Sequence, residues 1–250
     1  MNNILVFEQV YMSFYDLNKE TKVLKDLSFK IKEGNINVLI GPSGCGKSTI
    51  LNLVAGIIKP TSGKIIKPNN IGYMFQKDNL LEWLTILDNV LIGLKIQKKL
   101  NYDNIEYAKA LLIKYGLKEF INSYPNELSG GMRQRVALIR AIVLHPKMLL
   151  LDEPFSALDS QTRIEVSNDI YTILKDLQIT TIMVTHDISE AISLADNILI
   201  LTDRPATLKE EIKILFTHLT PYERRNNDLF KDYFNKIWGD INDRTTSRIY

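Results

Sequence analysis

The chain has a single cysteine, Cys45, in 250 residues. That excludes a disulfide framework and a cysteine-based zinc site, and it fits an intracellular compartment. An excess of charge of one sign is also missing, since 31 basic against 29 acidic residues leave a formal net charge of +2. So balanced a chain gives no argument for nucleic-acid binding from charge alone. No apolar run reaches the ~18–20 residues that a membrane helix needs, so work at a membrane would require another chain to supply the span. Met1 to Val10 shows no basic stretch ahead of a long apolar run and does not read as a signal peptide. There is no repeat at solenoid periods and no low-complexity tract. What is left is 45% hydrophobic and 24% charged. That suits one large domain, or a domain carrying an inserted subdomain, with ample core.

Within that ordinary composition one stretch stands out: Gly41-Pro42-Ser43-Gly44-Cys45-Gly46-Lys47-Ser48-Thr49. It fits the phosphate-loop pattern G-x-x-x-x-G-K-[ST]. Ile36 to Ile40 ahead of it reads as a short buried strand, and Ser48 to Ile57 behind it as a helix. A loop in that position aims successive backbone N–H groups at one point, and the helix N-terminus adds partial positive charge there. Lys47 is expected to reach the β- and γ-phosphates of a nucleotide, and Ser48 to hold Mg²⁺. Cys45 reads as a small filler inside the loop.

The rest of the chain reads as follows. Ile4 to Val10 and Val23 to Ile31 are predicted strands, with polar Asp16 to Lys22 as a hairpin loop between them. Phe14 and Tyr15 stand just before that loop, where an aromatic either stacks on an adenine ring or simply ends a strand. Lys64 to Ile66 and Ile71 to Phe75 are short predicted strands, and Gln76 follows directly. A Gln there either ligates Mg²⁺ and orients a water or is an ordinary surface residue. From Leu80 to Ile142 only helical periodicity appears, at Leu87 to Leu94, Asn104 to Tyr115 and Met132 to Val143. This predicts an all-helical insertion into an α/β core. Ser129-Gly130-Gly131 opens the last of these helices with N-cap chemistry and a bare backbone, either a second anion site or a plain capped start. Lys147 to Leu151 reads as a buried parallel strand ending in Asp152-Glu153-Pro154. Carboxylates at that end of such a strand sit where these sheets bind ligands, with Asp152 placed to hold Mg²⁺ through water and Glu153 to polarise an attacking water. Ser156 to Asp159 is a predicted turn, Gln161 to Leu177 a long helix, and Thr180 to Thr185 a buried strand ending in His186-Asp187. Ile188 to Ala195 reads as a helix and Ile198 to Leu201 as the last core strand. A polar, turn-rich stretch starts at Arg204-Pro205, and Pro221 to Ile241 reads as one terminal amphipathic helix whose aromatic stripe is packing.

Taken together, the phosphate loop, Gln76, Leu128-Ser129-Gly130-Gly131-Met132, Leu149-Leu150-Leu151-Asp152-Glu153-Pro154, Ser156-Ala157-Leu158-Asp159 and His186 resemble the ATP-binding-cassette family in order and spacing over about Val10 to Asp203. The resemblance implies an α/β P-loop NTPase (RecA-like) core with an N-terminal antiparallel β subdomain and an inserted all-helical signature subdomain. The expected division is an α/β core over 1–78 and 143–215, the helical signature subdomain over 79–142, and a C-terminal helical extension over 216–250 of one cassette domain, 1–250. It implies ATP and Mg²⁺, and a head-to-tail pair of cassettes with each ATP held between the phosphate loop of one and the signature of the other. Phe14 then resembles the adenine-stacking aromatic, with Tyr15 as the neighbouring option. Gly41, Pro42, Ser43, Gly44, Cys45, Gly46, Lys47, Ser48 and Thr49 cradle phosphate, and Ser129, Gly130 and Gly131 touch the γ-phosphate across the pair. Ser48, Gln76 and Asp152 resemble the metal-holding set, Glu153 the general base, Asp159 the D-loop acid and His186 the switch histidine.

Within the family, Asn79 to Val90 resembles the "LLPWLTVLDNV" stretch of importers of the nitrate, sulfonate and taurine group, as do Tyr124 to Arg135 and Asp203-Arg204-Pro205. That group also includes importers of thiamine-precursor pyrimidines and riboflavin-like compounds. Glu82 stands where the group usually has Pro, in the region expected to meet a permease. The implied partners are transmembrane permease chains, a second ATP-binding subunit that is an identical copy, and indirectly an extracytoplasmic solute-binding protein, with no nucleic acid. The implied location is the cytoplasmic face of the cell membrane, peripherally bound, and no large C-terminal regulatory domain is expected after Trp238. The alternatives from other classes are a soluble cassette protein, a nucleotide-binding regulator and a phosphate-loop kinase. The first usually carries two cassettes, a long coiled coil or zinc cysteines, the second does not need Glu153 with His186, and the third does not need Leu128 to Arg135.

Overall fold

Two strands of 14 residues open the chain, β1 (Asn3–Asp16) and β2 (Lys19–Lys32). In this computed structural model, residues 3–16 and 19–242 are described. The strands pair antiparallel from Asn3↔Lys32 to Asp16↔Lys19. Leu5, Phe7, Val10, Leu27, Phe29 and Ile31 are buried, and the Phe7 and Phe29 rings stack at 4.5 Å. The polar stretch expected to be a loop from Asp16 to Lys22 is mostly strand, because Phe14↔Thr21 and Tyr15↔Glu20 pair across it and Ser13 Oγ donates to Glu20 Oε1 at 2.9 Å. Cross-strand partners hold polar residues extended where composition alone suggests a turn.

β3 (Ile36–Ile40) is buried at every residue and leads into α1 (Lys47–Ala55). The helix stops at Gly56 in the left-handed conformation, φ 80°, and the Lys67 ammonium donates to the Val54 carbonyl at 2.6 Å. That places a cation on the negative end of the helix. β4 (Ser62–Ile66) pairs antiparallel with β1, giving the sheet order β2-β1-β4.

The segment 70–179 is a compact unit of its own. It holds a parallel pair, β5 (Ile71–Met74) and β6 (Met148–Asp152), in register from Ile71↔Met148 to Met74↔Leu151. Between those strands come α2 (Ile86–Ile96), α3 (Tyr102–Lys114) and α4 (Gly130–Ile142), and after them α5 (Ser160–Leu177). Thr85, Asn101, Ser129 and Asp159 cap these helices by accepting backbone N–H groups. Among the described residues no strand interrupts the run from α2 to α4.

The second compact unit is drawn from Met1–Asn69 and Thr180–Tyr250. Its returning part supplies β7 (Thr180–Val184), α6 (Ile188–Leu194), β8 (Asn197–Leu201), β9 (Leu208–Lys213), α7 (Pro221–Arg225) and α8 (Asp228–Asn242). β3 lies between β7 and β8, parallel to both. Two expectations fail here. Ile198–Leu201 is not the last strand, because β9 pairs antiparallel with β8, Ile198↔Ile212 and Leu199↔Glu211. Its half-exposed Lys and Glu residues hide the strand pattern, as is usual for a sheet edge. The terminal helix is two helices, because the Asn227 carboxamide oxygen accepts the Leu229 N–H at 3.0 Å and starts a new one. Among the described residues no helix is long and apolar enough to cross a membrane.

Candidate nucleotide site

The loop 41–49 leaves the end of β3 and runs into the N-terminus of α1. Gly46 takes φ 121°, and a Cβ there would lie 2.7 Å from Val23 Cγ1, so the turn tolerates only glycine. Lys47 is buried, and its ammonium donates to the carbonyls of Gly41 at 2.8 Å and Pro42 at 3.0 Å. The cation therefore lies against the loop's own backbone. Ser43, Gly44 and Ser48 are exposed, while Pro42, Gly46 and Thr49 are half-buried. The first turn of α1 carries no acidic residue, so nothing on the helix offsets its positive end. Cys45 is buried, and burial pushes its thiol up even though Lys47 opposes the shift. A partly exposed loop at a helix N-terminus, with an ammonium beside its backbone, has the chemistry that suits phosphate.

Neighbouring strands bring further groups to the same end of the sheet. Leu39 pairs with Val184 and Ile40 with Ile200, so His186 and Arg204 follow strands that flank the loop's own. Arg204 donates from Nε at 3.0 Å and from Nη2 at 2.5 Å to the Gly44 carbonyl. His186 is exposed, in a turn braced on both sides. The Thr185 hydroxyl donates to the buried Glu190 carboxylate at 2.6 Å and accepts the Asp187 N–H at 3.0 Å. Asp187 caps α6 by accepting the N–H groups of Ser189 at 2.7 Å and Glu190 at 3.1 Å.

The carboxylate pair is built in the other unit. Asp152 ends β6 and accepts the Tyr73 hydroxyl at 3.4 Å. Burial, then the charge on Asp152, pushes the Tyr73 phenol well above its usual range, so it stays protonated as a donor. Glu153 has φ 45°, a left-handed conformation that a glutamate adopts only under local constraint. The constraint comes from Ser156, whose N–H and hydroxyl both donate to the Glu153 carbonyl, at 3.2 and 3.0 Å. The Gln76 amide donates to Glu153 Oε2 and to Ser156 Oγ, each at 3.3 Å. Gln76, Asp152 and Glu153 thus come together in one cluster.

Ser129 caps α4 by accepting the Met132 N–H at 3.4 Å. No acidic residue lies in the helix's first turn. Gly131 packs hard on α5, where a Cβ would meet Val166 Cγ2 at 2.6 Å. Gly130 and Leu158 are similarly close, a Cβ at 130 lying 3.1 Å from Leu158 Cδ2. Asp159, next to Leu158, accepts the N–H groups of Gln161 at 3.1 Å and Thr162 at 3.0 Å. The Thr162 hydrogen bonds hold its carboxyl below the usual range. The signature residues and Asp159 are therefore neighbours, and Phe14 belongs to β1 of the other unit. Phe14 is 45% exposed and Tyr15 70%, and the Tyr15 hydroxyl is committed to Glu20 Oε1 at 3.4 Å.

Several residues that build this site have no role assigned from the sequence. Tyr73 and Thr185 stand outside every motif and act through single hydroxyls, while Ser156 and Arg204 lie in motif stretches whose contacts the sequence does not reveal: Ser156 meets Gln76, and Arg204 reaches back 160 positions to Gly44. Glu190 had a signal: Asp187-x-x-Glu190 has the spacing of a capping box. Its carboxylate turns instead to Thr185.

A family model described as "ABC transporter" matches residues 24–156. YtlC of Bacillus subtilis, described as an ABC transporter ATP-binding protein, is 39% identical over 96% of this chain and 96% of its own. The nitrate import ATP-binding protein NrtD of a Synechocystis strain is 38% identical over 82% of this chain and 83% of its own. Among solved structures, the dimeric cassette MJ0796 in a post-hydrolysis state with ADP and phosphate superposes with a TM-score of 0.71, at 29% identity, over 84% of this chain and 99% of that one.

Proposed function

The chain belongs to the ABC transporter family, and from that premise we propose that it binds and hydrolyses ATP to drive a membrane importer for a small solute of nitrate, sulfonate or taurine type. The observation that carries the reading is the Gln76–Asp152–Glu153 cluster at the end of β6, with the Gln76 amide 3.3 Å from Glu153. A carboxylate held there by a neutral donor, in a constrained backbone, suits a base that takes a proton from an attacking water.

The other roles follow from position. The backbone of 41–49 and the N-terminus of α1 bind phosphate, and Lys47 moves from the Gly41 and Pro42 carbonyls to phosphate oxygens. His186, braced by Thr185 and Asp187, offers a ring N–H to the γ-phosphate. Ser48, Asp152 and Gln76 would hold Mg²⁺, and their hydroxyl, carboxylate and amide oxygens are the hard donors that such an ion takes. When bound, such an ion would supply charge neutralisation on the phosphate oxygens. Ser129, Gly130 and Gly131 present a second uncompensated helix N-terminus, which suits the γ-phosphate held by a second, identical copy. Phe14 provides the face for adenine. The solved cassette described as dimeric with ADP and phosphate supports that pairing. In this reading residues 79–142 are the signature subdomain inserted in a core over 1–78 and 143–215.

The proposed place of work is the cytoplasmic face of a membrane, on permease chains that supply the span. Trp83, 73% exposed on the loop between β5 and α2, is a suitable contact for such a partner. The test is molecular size and ATPase rate of the wild type and Glu153→Gln, with and without ATP and Mg²⁺. The variant should lose hydrolysis by roughly 10²–10⁴-fold and form an ATP-dependent dimer. Wild-type turnover in the variant would sink the base assignment.

A further inference from the structure

Arg133, on α4 and four residues beyond the Ser129 cap, is half-buried with its guanidinium committed to two carboxylates. Its guanidinium donates from Nε to Asp78 Oδ2 at 2.9 Å and from Nη2 to Asp78 Oδ1 at 3.1 Å. The same Nη2 reaches Glu82 Oε1 at 2.7 Å. Two turns further along the helix, Arg140 donates to the backbone carbonyls of Asn79, at 2.7 Å, and Asp78. Two arginines seven residues apart lie on one face of a helix, and here that face carries the segment 78–82. The Asp78 carboxylate also accepts the Leu80 N–H at 3.0 Å, so the same group shapes the segment's turn. Two residues upstream stands Gln76, with its amide on Glu153.

We propose that Arg133 is a positioning residue for hydrolysis: through Asp78 it fixes the strap that carries Gln76, so that the helix bearing Ser129, Gly130 and Gly131 sets the geometry of this chain's own Glu153. The inference rests on the reading of Glu153 as general base. The bidentate fork fixes both the distance and the plane of Asp78, which a point charge does not. Glu82 adds a second anchor beyond the turn and keeps the strap from pivoting about Asp78. A shift of the α4 N-terminus therefore reaches Gln76 through four consecutive links: α4, Arg133, Asp78 and the chain from 78 to 76. In the paired arrangement the signature serves one ATP and Glu153 the other, so this strap joins the two sites within one chain.

The test is a double-mutant cycle in the full chain, with Arg133→Leu and Gln76→Ala singly and together, reading kcat and KM for ATP alongside Tm. Arg133→Leu should lower kcat by roughly 10–100-fold, the cost of a misplaced catalytic group, and leave KM within about twofold. Arg133→Lys, with charge but no fork, should fall between. In the Gln76→Ala background the same Arg133→Leu change should lower kcat by less than about twofold, because the group it positions is gone. Glu82→Gln, which leaves Asp78 paired, should give a smaller loss in kcat with Tm held. Equal losses in both backgrounds, or a raised KM at constant kcat, overturn the inference. Turnover that Glu153→Gln abolishes but Arg133→Leu leaves intact overturns this inference alone. Absence of any turnover in the wild type overturns it together with the reading it rests on.

Discussion

Asn89 on α2 is fully buried, and its side chain holds the loop that precedes its own helix. Its carboxamide oxygen accepts the Leu81 N–H at 2.7 Å. Its nitrogen donates to the carbonyls of Leu81, Leu84 and Thr85 at 3.0–3.1 Å. Asn89→Leu keeps the volume and removes all four bonds. The damage is unequal. The Leu81 carbonyl still accepts the Leu84 N–H at 3.0 Å, and the Thr85 carbonyl still accepts the Asn89 backbone N–H at 2.9 Å. The Leu81 N–H and the Leu84 carbonyl lose the bonds described above. An orphaned buried group costs about 1–3 kcal/mol, and because Leu81 and Leu84 are half-buried the two together come to the lower part of that sum, roughly 2–4 kcal/mol. In a chain of this size each kcal/mol moves Tm by about 2–4 °C, which makes the expected drop about 10 °C. Circular dichroism on heating gives the drop, and amide hydrogen exchange at Leu81 localises it. A fall of less than about 2 °C with the Leu81 amide still protected would refute the reasoning, because the loop would then be held by other contacts. Asn89→Asp is a sharper probe. It keeps the acceptor for Leu81 but sets a carboxylate against three carbonyls, so it should cost at least as much near neutral pH.

Gly131→Ala adds a Cβ 2.6 Å from Val166 Cγ2 and should cost about 1–3 kcal/mol in Tm-derived stability. Val166→Ala in the same chain should restore most of it, and failure of that rescue would count against the packing argument. At Asp78, burial raises the carboxyl, but the Arg133 hydrogen bond, the Leu80 N–H and the charges of Arg133 and Arg140 outweigh it and hold the group below its usual range. Its contribution is then complete above the unfolded value of about 3.9 and disappears as pH falls through the lower folded value. The Tm gap between wild type and Asp78→Asn should therefore be flat from about pH 7 to 5 and close only below about pH 4. A gap that closes already near pH 6 would contradict the assignment.

What the sequence made legible is what is contiguous. The phosphate loop, the Ser129 cap and Asp152-Glu153 each need only a few adjacent residues, and local chemistry fixes them. The edge strand β9 was missed because an edge tolerates Lys and Glu on exposed positions and loses its alternation. The reach of the first strand pair was underestimated for a related reason: Glu20 and Thr21 are held extended by their cross-strand partners Tyr15 and Phe14, not by their own propensity. The second layer of the site was illegible throughout. Tyr73 with Asp152, Arg133 with Asp78 and Arg204 with Gly44 lie 79, 55 and 160 positions apart. No local pattern announces which carboxylate or carbonyl a distant side chain will meet.

β3 carries a consequence for synthesis. It precedes the phosphate loop, yet both strands that flank it come much later in the chain. From Ile40, the ribosome must add 140 residues to reach Thr180, where β7 begins, and 161 to reach Leu201, where β8 ends. At roughly 5–20 residues per second that interval lasts about 7–30 s. Throughout it Ile36-Asn37-Val38-Leu39-Ile40 is an apolar strand with two open edges, the kind of segment that pairs with other chains. Nascent chains stalled before Thr180 should therefore associate or recruit holding factors, and those released after Leu201 should not.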